Sequence, residues 1–281
     1  MNSENIRSNR KKYIKSALVL LIVIALLLFC SYQNRHLETT YYTYKAEQLG
    51  ADLEGYRIVQ ISDLHNVKFG KNNQKLVDRI RECEPDMIVL TGDLVDSNHT
   101  NVDRAVQFVD EIVKICPVYY VTGNHEYWLE KSEYDELMDG LVSAGVVILD
   151  NQVVEISRWD AKFRLVGLDD KSLADGTLEA LLSDEKELTV VLAHEPQYLA
   201  RYAGTGVDLV LSGHAHGGQF RLPFVGGIVA PDQGFLPEYT AGEYYMNGTE
   251  MIVSRGLGNS VIPVRLFNYP EIVCVDLVGK H

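Results

Sequence analysis

The chain has 281 residues, of which 46% are hydrophobic and 23% are charged, so it is long enough to bury a large core. Its net charge of −13 is uneven: residues 1–40 hold six Lys/Arg and two Glu, whereas the other 241 residues hold 20 basic and 37 acidic side chains. A region that acidic repels nucleic-acid phosphates, which argues against a protein that binds nucleic acid through a basic groove.

The N-terminal segment has the pattern of a membrane anchor. Ser16 to Tyr32 is a run of 17 residues without a charge, and five basic residues precede it. This length is the lower limit for a helix that crosses a bilayer, and the basic flank predicts that the N-terminus is cytoplasmic and the rest extracytoplasmic. A cleaved or lipidated export signal is the alternative. We assign four segments: a basic N-terminus (1–15), a transmembrane signal-anchor (16–35), a linker (36–54) and one domain (55–281).

From residue 55 onward, the pattern is typical of a parallel β-sheet that is covered by helices. Three apolar runs alternate with three amphipathic stretches: the runs are 56–65, 86–93 and 118–126, and the stretches are 72–84, 100–115 and 131–145. Such alternation predicts βαβαβ connectivity and an α/β fold. The second half is richer in strands, which we predict at 146–150, 152–157, 162–168, 187–195, 207–216, 250–256 and 271–277, with a short helix at 196–203.

Five of the apolar runs end in Asp, Asn or His. The five endings are Asp63-Leu64-His65, Gly92-Asp93, Gly123-Asn124-His125-Glu126, His194, and Gly213-His214-Ala215-His216. In α/β sheets, ligands bind at the carboxyl ends of the strands. We therefore expect these side chains to form one site.

This set of side chains predicts a centre for two divalent metal ions. Asp63 and His65 are two residues apart on an extended segment, so both can bind one ion; His214 and His216 can either do the same or bind two neighbouring ions. Imidazole and carboxylate ligands suit Mn, Fe or Zn, and the cysteines lack the spacing of a structural zinc site. Seven candidate ligands exceed the need of one tetrahedral ion. Two ions about 3.5–4 Å apart can activate water and stabilise a phosphate under attack.

The order of these motifs resembles that of the calcineurin-like metallophosphoesterases. The pattern over roughly residues 55–280 is D-x-H, G-D-x-x-D (Gly92, Asp93, Asp96), G-N-H-E, a single His and G-H-x-H. The stretches "GHAHGGQFRLP" and "SRGLGNSVIPVRLFNYPEI" are similar to a membrane-anchored bacterial branch, which includes phosphoesterases of the YkuE and YaeI type and UDP-2,3-diacylglucosamine pyrophosphatases. The resemblance implies a four-layer α/β/β/α sandwich.

The family pattern also implies a role for each candidate residue. Seven residues would bind the two metals, with Asp93 as the bridge: Asp63, His65 and His216 at the first, and Asn124, His194 and His214 at the second. His125 would not bind metal but would protonate the leaving-group oxygen. Gly217 and Gly218 would keep the backbone clear of the ions. Independently of the resemblance, we expect Asp96 to orient a ligand and not to bind metal itself.

The leading hypothesis is a membrane-anchored phosphoesterase that acts on a phosphodiester, pyrophosphate or phosphomonoester of cell-envelope or lipid-linked material. A UDP-2,3-diacylglucosamine-type pyrophosphatase is one alternative, but it requires a cytoplasmic active site, which the basic flank disfavours. A metal-dependent amidohydrolase would carry its H-x-H pair on the first strand, whereas here the pair follows the last motif strand. A non-catalytic metal- and wall-binding protein is the third alternative. We expect no nucleic-acid partner.

Overall fold

Two six-stranded β-sheets pack face to face, and helices cover both outer faces. The computed structural model describes residues 3–47, 49–171, 176–182, 187–259 and 262–280, with side chains from residue 12 onward. The helices are α1 (Ser3–Gln33), α2 (Gln74–Glu82), α3 (Val102–Ile112), α4 (Asn124–Tyr127), α5 (Lys131–Ala144), α6 (Thr177–Leu181) and α7 (Leu199–Tyr202). The strands are β1 (Glu38–Ala46), β2 (Tyr56–Ile61), β3 (Met87–Thr91), β4 (Val118–Val121), β5 (Val147–Ile148), β6 (Gln152–Arg158), β7 (Ala161–Gly167), β8 (Thr189–Leu192), β9 (Leu209–Ser212), β10 (Arg221–Leu222), β11 (Gly226–Gly227), β12 (Val229–Ala230), β13 (Gly234–Phe235), β14 (Gly242–Met246), β15 (Thr249–Val253) and β16 (Glu271–Gly279).

The two large sheets have similar topologies. The first has the strand order β1-β16-β2-β3-β4-β5, in which β2 to β5 are parallel and β16 is antiparallel to β2. The second has the order β14-β15-β9-β8-β7-β6, in which β15, β9, β8 and β7 are parallel and the two edge strands are antiparallel to their neighbours. Both sheets therefore direct the carboxyl ends of several parallel strands to a common edge.

Successive residues of the inner strands are buried on opposite faces of each sheet. Ile58 and Val89 pack between the two sheets, whereas their neighbours Val59 and Leu90 pack against the helices α2, α3 and α5. The second sheet packs its outer face against α6 and α7 in a third apolar cluster. Burial on both faces explains the near-continuous apolar runs of these strands. The predicted four-layer sandwich is confirmed.

The N-terminal helix α1 projects an exposed apolar surface. Its segment Lys12–Gln33 is long and apolar enough to cross a membrane, and the large apolar side chains from Leu18 to Leu28 are exposed. The helix ends at Gln33 and not at residue 35, the predicted end of the anchor. The basic side chains of Arg7, Arg10 and Lys11 lie outside the residues whose side chains are described.

The predicted linker over residues 36–54 is wrong for Glu38–Ala46, which forms the edge strand β1. This strand pairs in parallel with β16 from Glu38↔Glu271 to Ala46↔Gly279. The sequence "ETTYYTYKA" is rich in Thr and Tyr, which favour strands, and Tyr44 and Ala46 are buried between the sheets. Only residues 34–37 separate α1 from the first sheet.

Candidate metal centre

All seven predicted ligands lie at the common edge where the parallel strands of the two sheets end. They follow β2 (Asp63, His65), β3 (Asp93), β4 (Asn124), β8 (His194) and β9 (His214, His216). Six are at most 5% exposed, and Asn124 is 9% exposed. The sandwich therefore brings together residues from five separate stretches of the chain.

One cluster of donor atoms contains two carboxylates and two imidazoles. Asp63, His65, Asp93 and His216 place one donor atom each within 4.8 Å of one another. The Nε2 atoms of His65 and His216 lie 3.2 Å apart, and His65 Nε2 lies 3.5 Å from Asp93 Oδ2. His216 Nε2 lies 3.6 Å from Asp63 Oδ1. This arrangement has the size and chemistry of a metal site.

A second cluster shares Asp93 with the first. His194 Nε2 lies 3.2 Å from Asp93 Oδ2 and 3.1 Å from His214 Nδ1. The amide oxygen of Asn124 lies 3.1 Å from His194 Nε2 and 3.0 Å from His214 Nδ1. Asp93 Oδ2 thus faces both clusters, while its Oδ1 accepts a hydrogen bond from the backbone N–H of His125 (2.8 Å).

The outer nitrogen of three imidazoles meets an acceptor away from the clusters. The pairs are His194 Nδ1 and the Thr91 carbonyl (2.8 Å), His214 Nε2 and the Asp232 carboxylate (2.9 Å), and His216 Nδ1 and the Gly258 carbonyl (3.3 Å). These contacts place a proton on each outer nitrogen, so the inner nitrogens present lone pairs. Lone pairs 3.0–3.1 Å apart repel one another unless a cation lies among them. The donor set therefore fits divalent metal ions.

The charges at the centre are also suited to cations. Burial lowers the pKa of His65 and of His216 to about 3, so both rings are neutral at physiological pH. Burial also disfavours the imidazolium of His194, but the adjacent Asp93 carboxylate outweighs this effect and raises the pKa of His194 well above its usual value. Without metal, a proton on His194 compensates the buried Asp93; a metal ion can replace that proton.

Five of the seven predicted ligands have backbone conformations that are rare outside glycine. Their φ angles are +51° (Asp63), +45° (His65), +55° (Asp93), +63° (His214) and +47° (His216). Each such residue costs roughly 1–2 kcal/mol and persists only where surrounding contacts hold it. This concentration of backbone strain is typical of a functional site.

The glycines of the G-H-x-H loop do not have the predicted role. A Cβ at Gly217 would overlap Asn268, and one at Gly218 would overlap the backbone of Gly227. Both positions also have positive φ angles. These glycines therefore allow close packing against the neighbouring β11 and the 254–270 segment, and the expectation that they keep the backbone clear of the ions is wrong.

The side chain of Glu126 holds two ligand-bearing loops together. It is fully buried, and its Oε2 accepts hydrogen bonds from the N–H groups of Asp93 (2.9 Å) and Gly123 (2.8 Å). Its Oε1 accepts from Leu94 (2.8 Å) and Val95 (3.4 Å). The G-N-H-E motif does not indicate this role of Glu126, because burial of an acidic side chain cannot be predicted from the motif.

His125 lies beside the first cluster and outside both donor sets. Its ring centroid is 4.4 Å from that of His65 and 4.8 Å from that of Trp128. The backbone N–H of Ser97 donates to His125 Nδ1 (3.1 Å), which leaves the proton of the neutral ring on Nε2. Asp96 Oδ1 lies 3.7 Å from His125 Nδ1. Asp96 therefore neighbours His125 and not one of the seven predicted ligands that it was expected to orient.

A framework from the C-terminal segment supports His216. The buried guanidinium of Arg265 donates to the carbonyls of Gly258 and Arg255, and the Gly258 carbonyl also faces His216 Nδ1. Asn268 Nδ2 donates to the His216 carbonyl (2.7 Å). These residues and Asp232 could not be predicted from the sequence, because they lie in loops without a recognisable ligand spacing.

A family model described as calcineurin-like phosphoesterase matches residues 56–218. The chain belongs to this family. It is 31% identical to the metallophosphoesterase YkuE of Bacillus subtilis over 266 residues, 90% of each chain. It is 31% identical to the phosphodiesterase YaeI of Escherichia coli over 228 residues, 79% of this chain and 82% of that one.

Among solved structures, the sulfate thiohydrolase SoxB of Thermus thermophilus is similar in fold. The TM-score is 0.50 at 12% sequence identity, with 80% of this chain and 57% of the other covered. Members of the calcineurin-like family are phosphate-ester hydrolases with a dimetal centre, and the two donor clusters that share Asp93 match that arrangement. The predicted family and reaction class are confirmed.

Proposed function

We propose that the chain is a membrane-anchored phosphoesterase that hydrolyses a phosphodiester, pyrophosphate or phosphomonoester of cell-envelope or lipid-linked material. The observation that supports this proposal best is the carboxylate of Asp93, which faces two buried donor clusters at once. A carboxylate in that position suits two divalent ions a few ångströms apart.

We assign the ligands of the two ions as follows: Asp63, His65 and His216 to the first, Asn124, His194 and His214 to the second, and Asp93 to both. Neutral imidazoles and carboxylates suit Mn, Fe or Zn. When bound, two such ions supply Lewis-acid activation of the phosphate and of the attacking water. The protein fixes the positions of the donor atoms. Three of the imidazoles are held by hydrogen bonds at the ring nitrogen that faces away from the ions.

His125 is the proposed general acid. Hydrolysis leaves negative charge on the departing oxygen, and a sugar or lipid alkoxide needs a proton at that stage. Because Ser97 N–H donates to His125 Nδ1, the proton of the neutral ring lies on Nε2, and Nε2 is the atom from which we propose that it is transferred. General-acid catalysis is typically worth about 10²–10⁴-fold in rate.

The metal assignment is tested on the full chain purified in detergent. Elemental analysis should find two transition-metal ions per chain, and bis(p-nitrophenyl) phosphate or p-nitrophenyl phosphate should be hydrolysed in a metal-dependent manner. A single ion in fully active protein would refute the two-metal assignment, and activity in excess EDTA would refute metal catalysis. A panel of amide substrates and phosphate esters separates this function from an amidohydrolase or a non-catalytic binding protein.

The role of His125 is tested by the dependence on the leaving group. His125→Asn should slow alkyl phosphate esters much more than p-nitrophenyl esters, whose leaving group needs no proton, and metal content should be retained. The matched control is His99→Asn, because His99 also lies near Asp96 (3.4 Å) but its side chain is 86% exposed. An equal loss with both substrates would show that His125 does not donate the proton.

The proposed topology places the catalytic domain outside the cytoplasm. It is supported by the five basic residues before Ser16 and by the apolar helix that follows them. Protease added to intact cells or protoplasts should remove the domain from the anchor. Full protection, with cleavage after lysis, would reverse the orientation and favour the cytoplasmic lipid-precursor pyrophosphatase.

A further inference from the structure

Two short ribbons and one loop present a group of exposed apolar side chains, which we call the apolar rim. The ribbons are β10–β11 and β12–β13, and the loop lies between β15 and β16. The rim consists of Leu222, Phe224, Val225, Phe235, Leu236 and Phe267. Phe224 is fully exposed and Phe235 is 73% exposed. Clustered exposure of large apolar side chains marks an interaction surface.

Backbone hydrogen bonds connect the parts of the apolar rim. Leu236 N–H donates to the Ile228 carbonyl (2.9 Å), and Ile228 N–H donates to the Phe220 carbonyl (2.9 Å). Arg221 N–H donates to the carbonyl of Leu266, the residue before Phe267 (2.9 Å). The two ribbons and the loop therefore belong to one surface.

The apolar rim adjoins the end of the membrane-spanning helix. The rings of Phe29 and Phe267 pack edge to face with centroids 5.8 Å apart. Asn34 fixes the same loop, since its side chain donates to the Pro263 carbonyl (2.9 Å) and accepts from Arg265 N–H (2.9 Å). Phe29 lies about one helical turn, or roughly 6 Å, before the last helical residue. Phe267 therefore lies at the depth of the apolar segment of α1.

The short connection after α1 keeps the domain at this position. Glu38, the first residue of β1, donates its N–H to the Pro270 carbonyl (2.9 Å). Tyr269 contacts both Tyr32 and His36, with ring centroids 6.1 and 4.8 Å apart. Contacts on both sides of the connection thus hold the loop of Phe267 against the helix end.

We propose that the apolar rim inserts into the surface of the lipid bilayer that α1 spans. The inference rests on the membrane anchor of the proposed function. Lipid is the expected occupant because the apolar rim packs directly against α1 through Phe267 and Phe29. Aromatic side chains are favoured at the boundary between lipid and water. A protein partner would have to reach a surface that packs directly against the membrane-spanning helix.

This docking brings the metal centre close to the bilayer. Asp232, in the turn between β12 and β13, contacts His214 Nε2 at 2.9 Å. The backbone of Gly227 in β11 packs against Gly218, next to His216 in sequence. The ribbons that insert into lipid are therefore the same ribbons that border the centre. The class of substrate that suits this geometry is an amphiphile whose phosphoester group lies at the membrane surface.

Depth-dependent fluorescence quenching tests the docking. The full chain and its Phe224→Trp and Phe235→Trp variants are reconstituted into vesicles of phosphatidylcholine and phosphatidylglycerol, with or without phosphatidylcholine brominated in its acyl chains. The unsubstituted chain gives the background of Trp128 and Trp159. We expect bromolipid to quench the added emission of both variants, and we expect that emission to be blue-shifted.

Tyr245→Trp is the matched control. Tyr245 is 68% exposed and lines a surface depression with Lys45 and Lys280. Lys45 lies at the end of β1 remote from α1, about 23 Å along the strand from its first residue, Glu38. The added emission of Tyr245→Trp should therefore not be quenched by bromolipid.

Flotation of the vesicles distinguishes a failure of the membrane anchor from a failure of the rim to dock. If the chain floats with the vesicles but neither rim variant is quenched, the docking proposal is overturned and a protein partner becomes the occupant. If the chain does not float, the anchor fails and the docking fails with it. Hydrolysis of p-nitrophenyl phosphate by the same sample tests the metal centre of the proposed function independently of the docking.

Discussion

Replacement of Glu126 by Gln should destabilise the protein and weaken metal binding, although Glu126 is not a predicted ligand. Burial raises the pKa of Glu126 to about 8, but four backbone N–H groups donate to its two oxygens and leave no acceptor for an acid proton, so the geometry favours the carboxylate. Two of these donors, Asp93 and Gly123, belong to the loops that carry Asp93 and Asn124. An amide has only one acceptor oxygen. The glutamine NH₂ group must therefore face either the pair of donors at Oε2 or the pair at Oε1.

The structure indicates the size of the effect. The least costly orientation directs the glutamine NH₂ toward Leu94 and Val95, where one good hydrogen bond (2.8 Å) and one long one (3.4 Å) are lost. A hydrogen bond to a charged acceptor contributes about 1.5–3 kcal/mol, and the bonds that remain become weaker because the acceptor is neutral. We expect the free energy of unfolding to fall by about 2–4 kcal/mol.

Urea unfolding measures the stability, and calorimetric titration of the metal-free protein with Mn²⁺ or Zn²⁺ measures the affinity. Glu136→Gln, at an exposed position on α5, is the matched control for the loss of one negative charge. Because Asp93 belongs to both clusters, binding at both sites should weaken in Glu126→Gln. Unchanged stability and affinity would refute the view that this carboxylate holds the two loops.

Three further substitutions or conditions probe the centre. Asp93→Asn should lower metal content in both sites by elemental analysis, whereas Asp110→Asn on the surface of α3 should not. Because Asp93 raises the pKa of His194, metal must displace a proton there, so calorimetric affinity should rise with pH; a constant affinity from about pH 5 to 8 would contradict this. Gly213→Ala should cost about 1–3 kcal/mol in thermal unfolding, since its Cβ would overlap the loop after β2, whereas Gly204→Ala, with only ordinary contacts, should cost less.

The position of the predicted ligands could be read from the sequence because each follows a buried strand. Five strands end in polar side chains, and parallel strands of one sheet must end at a common edge. The sequence pattern alone did not show that β8 and β9 belong to a second sheet whose edge meets that of the first. The resemblance to a known family supplied that step, and the packing of the two sheets confirmed it.

The strand β1 could not be predicted because its partner lies at the opposite end of the chain. The Thr- and Tyr-rich sequence of residues 38–46 is compatible with a strand, but only the parallel pairing with β16 makes it one. Arg255 strengthens this pairing, since its guanidinium contacts Glu38 and Glu271 at 2.8 Å each. Such non-local contacts leave no periodicity in the sequence of β1 itself.

Residues that support the ligands were missed for a related reason. Asp232 contacts His214 directly, and Arg265 acts on His216 through the Gly258 carbonyl, to which it donates. Both residues are distant in the chain from the ligands, and neither has a neighbour that would complete a motif. The predicted role of Gly217 was wrong because the close approach of Asn268 depends on how the C-terminal segment folds over the loop. Side chains that meet because their strands end at one edge of the sheet can be predicted from the sequence pattern. The residues that contact those side chains from distant loops cannot.

The strain at the centre explains why so many buried groups surround it. Five ligand residues with positive φ angles cost several kcal/mol together, a large share of the roughly 5–15 kcal/mol that stabilises a domain. Glu126 accepts a hydrogen bond from the backbone N–H of Asp93, and Asn268 donates one to the backbone carbonyl of His216, so both side chains stabilise the conformations that these ligands need. The donor atoms are therefore held in place before metal arrives, and the binding free energy of the ions need not be spent on ordering the loops.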